Sequence, residues 1–171
     1  SKGWLSACYG KASRLRKKLV ADKVETIIGI SWNSTNPKIG ARYKLIPLTQ
    51  LAVKLDKPTV KLVNLQYGDV GGELEKLKQE TGIEVHQAPE VDIKDDLDGL
   101  ASLIMACDKV VSISNVTIHL AGALGKQAHV LLASSCDWRW GKNPNSAFWY
   151  DSVKLHRQAE INDWESVLKK L

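Results

Sequence analysis

The stretch KVVSISNVTIHLAGALGK, residues 109–126, joins a short apolar run to a helical pattern and decides the fold class. Its first five residues include three β-branched ones, which favours a buried strand. Ser114 and Asn115 are residue types that favour a helix N-cap, and Gly125 suits the position just after a helix. A strand followed at once by a helix predicts one unit of a parallel α/β sheet.

The same alternation extends over most of the 171 residues. Strand-like runs lie at 26–32, 59–65, 84–86, 109–113, 129–133 and 153–155. Helical patterns lie near 48–55, 72–81, 96–106 and 116–124, and a last one begins at 163. We therefore predict a Rossmann-like, doubly wound, mainly parallel sheet of about six strands with helices on both faces.

The net charge of +5 is concentrated before the first acid, Asp22. Six basic residues precede it: Lys2, Lys11, Arg14, Arg16, Lys17 and Lys18. A nucleic-acid-binding domain would spread its cations over a folded face, so nucleic acid is not an expected partner. We predict a solvated basic connecting helix at 1–22, with weak contact to an anionic membrane as the alternative, and a Rossmann-like domain at 23–171.

Hydropathy and cysteine content indicate the compartment. No apolar run approaches the ~20 residues that a membrane span requires. Cys8, Cys107 and Cys136 are far apart and lack CxxC spacing, which predicts neither a disulfide framework nor a zinc site. Cys107 falls on the apolar face of a helical pattern and is expected to be buried. The start has no initiator Met and no signal-peptide core, so we expect a cytoplasmic fragment of a longer chain.

An acidic pair, Asp95 and Asp96, stands at the start of the 96–106 helical pattern. Both residues suit the N-cap and the first turn of a helix, where their charge complements the helix dipole. A metal site is the alternative, but no His or Cys stands nearby. The sequence therefore predicts capping and no metal.

The helix that begins after Asn115 is a candidate anion site. Ligands of such sheets bind beyond the carboxyl ends of the strands, at helix N-termini. The first amides of a helix lack intrahelical partners, and the dipole is positive there. Thr117 and His119 lie in or next to the first turn, where both side chains have hydrogen-bonding groups for phosphate. The alternative is a capped helix with a partly buried histidine.

Two further loops follow predicted strands. The segment 30–44 is long, polar and free of acids, and its Lys38, Arg42 and Lys44 would place positive charge at the same edge as Asn115. Such a constellation suits a diphosphate, and the alternative is a solvated basic loop. After the second strand come Gln66, Tyr67 and Asp69, which we predict to contact a base or ribose, unless they only stabilise the turn.

Other motifs narrow the function. The sequence has no GxxxxGK[ST] loop, no GxGxxG after a strand and no GxSxG elbow, which argues against P-loop, NAD and serine-hydrolase chemistry. The C-terminal third carries an aromatic cluster, formed by Trp138, Trp140, Phe148, Trp149 and Tyr150. We predict that this cluster packs against a partner domain, and a lid over the ligand is the alternative.

Several stretches together resemble the C-terminal glycosyltransferase-like domain that follows tetratricopeptide repeats in many bacterial proteins. The matching stretches are GISWNSTNPKIGARYKLIPL (29–48), VNLQYGD (63–69), EVHQAPEVDIKDDLDGLASLIMACDKVVSISN (84–115), HLAGALGK (119–126) and WYDSVKLHRQAEINDW (149–164). The resemblance implies a GT-B fold, more distantly similar to O-linked N-acetylglucosamine transferase and the heptosyltransferases. In that architecture the C-terminal half binds the nucleotide-diphosphate sugar.

The resemblance also implies roles for individual residues. The donor diphosphate would be held at the helix start and by basic residues of the first loop, namely Ser114, Asn115, Val116, Thr117, His119, Lys38, Arg42 and Lys44. The reaction would be inverting and independent of metal and cofactor, with a UDP-sugar favoured as donor and His119 as the possible catalytic residue. The acceptor and the catalytic base would belong to an N-terminal half, so we expect this chain alone to bind a donor and transfer nothing.

The chain departs from the family pattern at three places. Ser114-Asn115 stands where heptosyltransferase-like relatives carry Asp-Thr, Val116 where a hydroxyl residue is common, and Gln127 where Pro is usual. These departures motivate an alternative hypothesis, a non-catalytic interaction module that has kept the half-fold. A third hypothesis, half of a sugar-nucleotide epimerase, lacks an acidic or histidine array to support it.

Overall fold

The strands form one sheet in which every neighbouring pair is parallel. The structure, a computed structural model, describes residues 3–20, 23–34, 45–135, 138–143 and 147–171. The strands are β1 (Thr26–Ser31), β2 (Val60–Asn64), β3 (Val85–His86), β4 (Lys109–Ile113), β5 (Ala128–Leu132) and β6 (Val153–Arg157). Their order is β3-β2-β1-β4-β5-β6, which confirms the predicted doubly wound parallel sheet.

Helices cover both faces of this sheet. They are α1 (Tyr9–Leu19), α2 (Leu48–Leu55), α3 (Gly71–Thr81), α4 (Leu97–Ala106), α5 (Val116–Ala123) and α6 (Trp164–Leu168). Buried side chains of α1, α4 and α5 share one apolar core with one sheet face, and those of α2, α3 and α6 share a second core with the other. For α2 to α6 and the six strands, the predicted bounds lie within two residues of the observed ones, whereas α1 is shorter than the helix predicted at 1–22.

The strand order reverses direction between β1 and β4, and this is where a doubly wound sheet opens a crevice. β1 is buried along almost its whole length, because helices cover both of its faces. A side chain at Gly29 would collide with Leu65 and approach the sulfur of Cys107. A glycine at this point therefore lets the neighbouring elements pack closely against β1.

α1 packs on the domain, whereas the charge run alone had indicated a solvated connector. Leu15 and Leu19 are buried in the core shared with α4. Three of its cations form ion pairs at 2.8 Å, Lys11 with Asp96, Arg16 with Asp108 and Lys18 with Glu90. The prediction failed because periodic leucines between the cations carry the helix onto α4, which the charge pattern does not reveal. The division at residue 22 stays a prediction.

Two smaller expectations can be checked directly. Cys107 is buried and donates to the carbonyl of Leu103, and burial raises the pKa of its thiol to about 12, so it is confirmed as a small apolar residue. Asp96 caps α4 by accepting from the amide of Gly99, as predicted.

In the described part of the chain no group of His, Cys, Asp and Glu is arranged to hold a metal ion. None of the described helices has the length and apolarity needed to cross a membrane.

Candidate functional site

The first component of the site is a buried glutamine at the end of β2. Gln66 is 2% exposed, and its Oε1 accepts from the hydroxyl of Ser31 at 2.9 Å. The same oxygen accepts from the amides of Trp32 at 3.1 Å and Asn33 at 2.8 Å. Gln66 therefore fixes the direction in which the chain leaves β1. This arrangement matches the turn-stabilising alternative, and it leaves Oε1 fully engaged by protein donors.

The second component is Asn115, the N-cap of α5. Its Oδ1 accepts from the amide of Thr117 at 3.1 Å, which confirms the predicted cap. Its Nδ2 donates to the hydroxyl of Ser31 at 2.7 Å and to the carbonyl of Asn33 at 3.2 Å. The loops after β1, β2 and β4 therefore meet in one hydrogen-bonded network through Ser31, Asn33, Gln66 and Asn115.

Thr117 contributes to this network from the inside. Its side chain is fully buried, and its hydroxyl donates to the carbonyl of Leu65 at 3.3 Å. The Thr117 hydroxyl therefore attaches α5 to the end of β2. The amides of Val116 and Ile118 lie in the first turn of α5, where amides have no carbonyl partner within the helix.

His119 lies among aromatic side chains. Its Nδ1 shares a hydrogen bond of 3.1 Å with the hydroxyl of Tyr150, and its ring stacks on that of Trp140 with centroids 4.8 Å apart. Trp140 is fully buried and donates from Nε1 to the hydroxyl of Ser114 at 2.8 Å. Ser114 and His119 are thus both held by the aromatic residues that follow β5.

Only part of the predicted aromatic cluster belongs to the interior. Trp140 lies in the core and Tyr150 packs against it, in contact with the backbone of α5 at Gly122. Trp138 and Phe148 are 74% and 80% exposed, and Trp149 is 43% exposed. The predicted packing against a partner domain therefore remains a hypothesis for the exposed members alone.

A cavity of about 730 Å³ opens beside the network. Two loops line it: residues 64–71, after β2, and residues 87–95, between β3 and α4. Tyr67 and Asp69 are among its walls, as are Asp92 and Asp95. A cavity with an aromatic ring and several carboxylates suits a ligand that has a flat ring and hydroxyl groups.

The structure brings together most of the residues predicted from sequence. Asn115, Val116 and Thr117 lie at the junction of three loops, and Gln66 connects this junction to the cavity that Tyr67 and Asp69 line. Lys38, Arg42 and Lys44 lie outside the described residues, so their placement stays a prediction. Ser31 and Asn33 were not predicted, although the position of both at the carboxyl end of a central strand is a usable signal.

The fold is that of a Rossmann-like α/β domain, and it matches one half of two solved glycosyltransferase structures. The glycosyl transferase family 9 structure from Veillonella parvula superposes with a TM-score of 0.66 at 14% identity, covering 97% of this chain and 50% of that chain. The E. coli ADP-heptose LPS heptosyltransferase II gives a TM-score of 0.65 at 16% identity, covering 97% and 51%. Identities this low establish the fold alone.

A similar protein by sequence is Protein FlbA of Caulobacter vibrioides. The two chains are 34% identical over 144 residues, which is 84% of this chain and 24% of FlbA. This chain therefore spans about a quarter of FlbA and about half of each of the two solved structures. No family model matches the chain.

Proposed function

We propose that this chain is the donor-binding half of a glycosyltransferase and binds a nucleotide-diphosphate sugar. One observation carries the proposal: the loops after β1, β2 and β4 meet at the N-terminus of α5, next to a cavity of about 730 Å³. The fold of half a heptosyltransferase supports it. The donor is a substrate, and we propose neither a metal nor a cofactor.

The two ends of the donor have different electrostatic requirements. The cavity with Tyr67 and Asp69 suits the nucleoside, because an aromatic ring stacks on a base and carboxylates accept hydrogen bonds from ribose hydroxyls. The diphosphate needs positive potential, which the amides of Val116 and Ile118 and the dipole of α5 supply. We propose that Lys38, Arg42 and Lys44 add positive charge at the diphosphate. They would stabilise the charge that develops on the leaving diphosphate.

The proposed activity needs a second half. The chain matches half of each neighbouring structure, and glycosyl transfer requires a closed cleft from which water is excluded. The acceptor site and the catalytic base are proposed to lie outside this chain, so the chain alone should bind a donor without transferring sugar. We also propose that this chain belongs to a longer protein with tetratricopeptide repeats. The proposed transfer reaction inverts the sugar configuration and needs no metal.

Calorimetric titration of the 171-residue chain with UDP, GDP, ADP and CDP tests donor binding. We expect UDP to bind best, and binding of none of the four at millimolar concentration would refute the proposal. The critical variant is Val116→Pro, since proline is accepted at the first helical position but removes an amide donor. It should weaken UDP binding about tenfold or more, without weakening uridine binding. Leu97→Pro, the same change at the first position of α4, is the matched control and should leave UDP affinity unchanged.

A non-catalytic interaction module is the second candidate. The observation that favours it is that the hydroxyls of Ser114 and Thr117 are both engaged by protein groups, with Trp140 and with the carbonyl of Leu65. Under this hypothesis the exposed aromatic side chains form the partner surface. This hypothesis would be favoured over donor binding if none of the nucleotides bound the chain while the longer protein still bound its partner.

A further inference from the structure

A smaller cavity lies beside α5, outside the network. It has a volume of about 330 Å³ and is lined by Trp4, His119, Trp138, Arg139, Trp149 and Tyr150. These residues come from three separate parts of the chain: the segment before α1, the helix α5 and the connection from β5 to β6. Asn115, Tyr67 and Asp69 do not line it, whereas His119, which the resemblance places near the diphosphate, does.

The chemistry of this cavity is aromatic and hydrogen-bond donating. Four of its six lining residues present indole or phenol rings, and no acid is among the described residues that line it. The guanidinium of Arg139 lies 5.0 Å from the centroid of the Trp138 ring. Trp4 and Trp138 are 66% and 74% exposed, so a large apolar area faces solvent beside polar donors. A matching ligand has an apolar face and groups that accept hydrogen bonds at its rim.

Part of the cavity wall is preorganised. The amides of Trp4 and Leu5 both donate to the carbonyl of Ala123, at 2.7 and 3.0 Å, which fixes the segment before α1 against α5. The ring of Trp4 lies 5.4 Å from that of Tyr150, and Tyr150 is held by its hydrogen bond with His119. Walls that are fixed before binding reduce the entropy lost when a ligand binds.

We propose that this aromatic cavity is a binding site for a pyranose ring. The carbon-bound hydrogens of one ring face would pack on the indole of Trp138 or Trp149, while ring substituents accept from the guanidinium of Arg139 and from the imidazole of His119. An open-chain polyol lacks the flat face that would pack on an indole. The described wall has no carboxylate, so it would not repel a sugar that carries a negative charge. The proposal rests on the proposed function for the class of ligand, since a sugar-transferring protein needs a place for a sugar ring.

The cavity also adjoins the proposed diphosphate site through its wall. His119 belongs to α5, and Trp140, on which it stacks, donates to Ser114 at the start of that helix. A sugar in the cavity would therefore contact the same helix whose N-terminus is proposed to bind the diphosphate.

Free monosaccharides test this site independently of nucleotide. The ¹⁵N-labelled 171-residue chain is titrated with N-acetylglucosamine, glucose, galactose and mannose, and the tryptophan indole signals are followed by NMR. We expect at least one sugar to shift the Trp4, Trp138 and Trp149 signals in a saturable way. Trp164, buried in the opposite core, should not shift and is the internal control. Sorbitol, which has no ring, should shift none of them.

Variants give the second readout. Trp138→Ala should weaken sugar binding about tenfold, the size expected for loss of one aromatic face. Arg139→Ala should weaken it as well, whereas Tyr9→Ala, at an exposed aromatic residue that does not line the cavity, should leave it unchanged. Equal losses in all three variants would overturn the assignment of the site.

The outcome for this cavity can be separated from that for donor binding. If UDP binds but no sugar, free or as UDP-N-acetylglucosamine or UDP-glucose, shifts the Trp138 and Trp149 signals, the inference is overturned and the proposed function stands. If a sugar binds in the cavity while no nucleotide binds the chain, the inference stands and the proposed function fails.

Discussion

Asn115 and Ser31, which lie 84 residues apart in the chain, are joined by a hydrogen bond of 2.7 Å from Nδ2 to Oγ. The same amide side chain caps α5 through Oδ1. One residue therefore satisfies the helix start and also attaches it to the end of the central strand β1. Because the proposed diphosphate site is built from the main chain of this turn, its geometry depends on Asn115 without requiring Asn115 to touch the ligand.

Substitution of Asn115 separates these two roles. Asn115→Ala should lower the free energy of unfolding by about 2 kcal/mol, because the cap is lost and the bonds to Ser31 and Asn33 disappear. Asn115→Asp keeps an acceptor for the Thr117 amide, so we expect a smaller loss in urea denaturation. The added negative charge should nevertheless weaken UDP binding more than Asn115→Ala does. Tighter UDP binding by the aspartate variant would contradict the placement of the anion.

Gln66→Ala should be more damaging than its single side chain suggests. The change leaves three donors, in Ser31, Trp32 and Asn33, without their acceptor, at a cost of about 3 kcal/mol in the free energy of unfolding. Urea denaturation measures the loss. Gln79→Ala on the exposed face of α3 removes only a bond to Glu75 and should change stability by less than about 0.5 kcal/mol. Similar effects of the two variants would show that Gln66 does not anchor the loop.

Two glycines form a matched pair for steric substitution. Gly29→Ala places a methyl group against Leu65 and close to the sulfur of Cys107, which should destabilise the fold by about 1–3 kcal/mol. Gly72→Ala, in the first turn of α3, meets no atom within 4 Å and should be neutral or slightly stabilising. The midpoints of thermal unfolding of the two variants measure this difference. An unchanged midpoint for Gly29→Ala would refute the close packing on β1.

A histidine pair predicts acid sensitivity. The rings of His129 and His156 stack 5.1 Å apart and share a hydrogen bond of 2.9 Å. Burial, then the neighbouring His156, lowers the pKa of His129 from 6.5 to about 4, and burial also lowers the pKa of His156. Between pH 6.5 and 4 the unfolded chain therefore binds protons that the folded chain does not, so folding stability falls as pH falls.

The size of this pH effect is modest because His129 is partly exposed. We expect a loss of about 2 kcal/mol at most between pH 7 and pH 4.5 from this residue. Urea unfolding at a series of pH values measures it. The double variant His129→Leu/His156→Leu should show a shallower dependence on pH than the unchanged chain. An equally steep dependence in both would exclude the pair as its source.

The fold was predictable because local signals agree along the chain. At residues 109–126, β-branched residues, the N-cap Asn115 and Gly125 all specify the same strand-to-helix unit, and the structure has β4 and α5 there. The prediction for α1 was wrong because it rested on the basic residues of 1–22, whereas the leucines between them are what packs on α4.

The site was predictable only in part. The position of Asn115 follows from the strand-to-helix pattern, but the partners of Gln66 do not, because they lie more than 30 residues away in the loop after β1. The aromatic surroundings of His119 come from Trp140 and Tyr150, beyond the next strand, and no local pattern indicates which rings will stack. Long-range side-chain contacts of this kind are set by packing, which periodicity does not encode.

The contacts that attach α1 to the rest of the domain can form only late in synthesis. Lys11 pairs with Asp96 across 85 residues and Arg16 with Asp108 across 92, so the leucines of α1 leave the ribosome long before the surface that buries them. Contacts of such high sequence separation slow folding. During that interval the nascent chain exposes an apolar stripe flanked by cations, a surface that chaperones can bind.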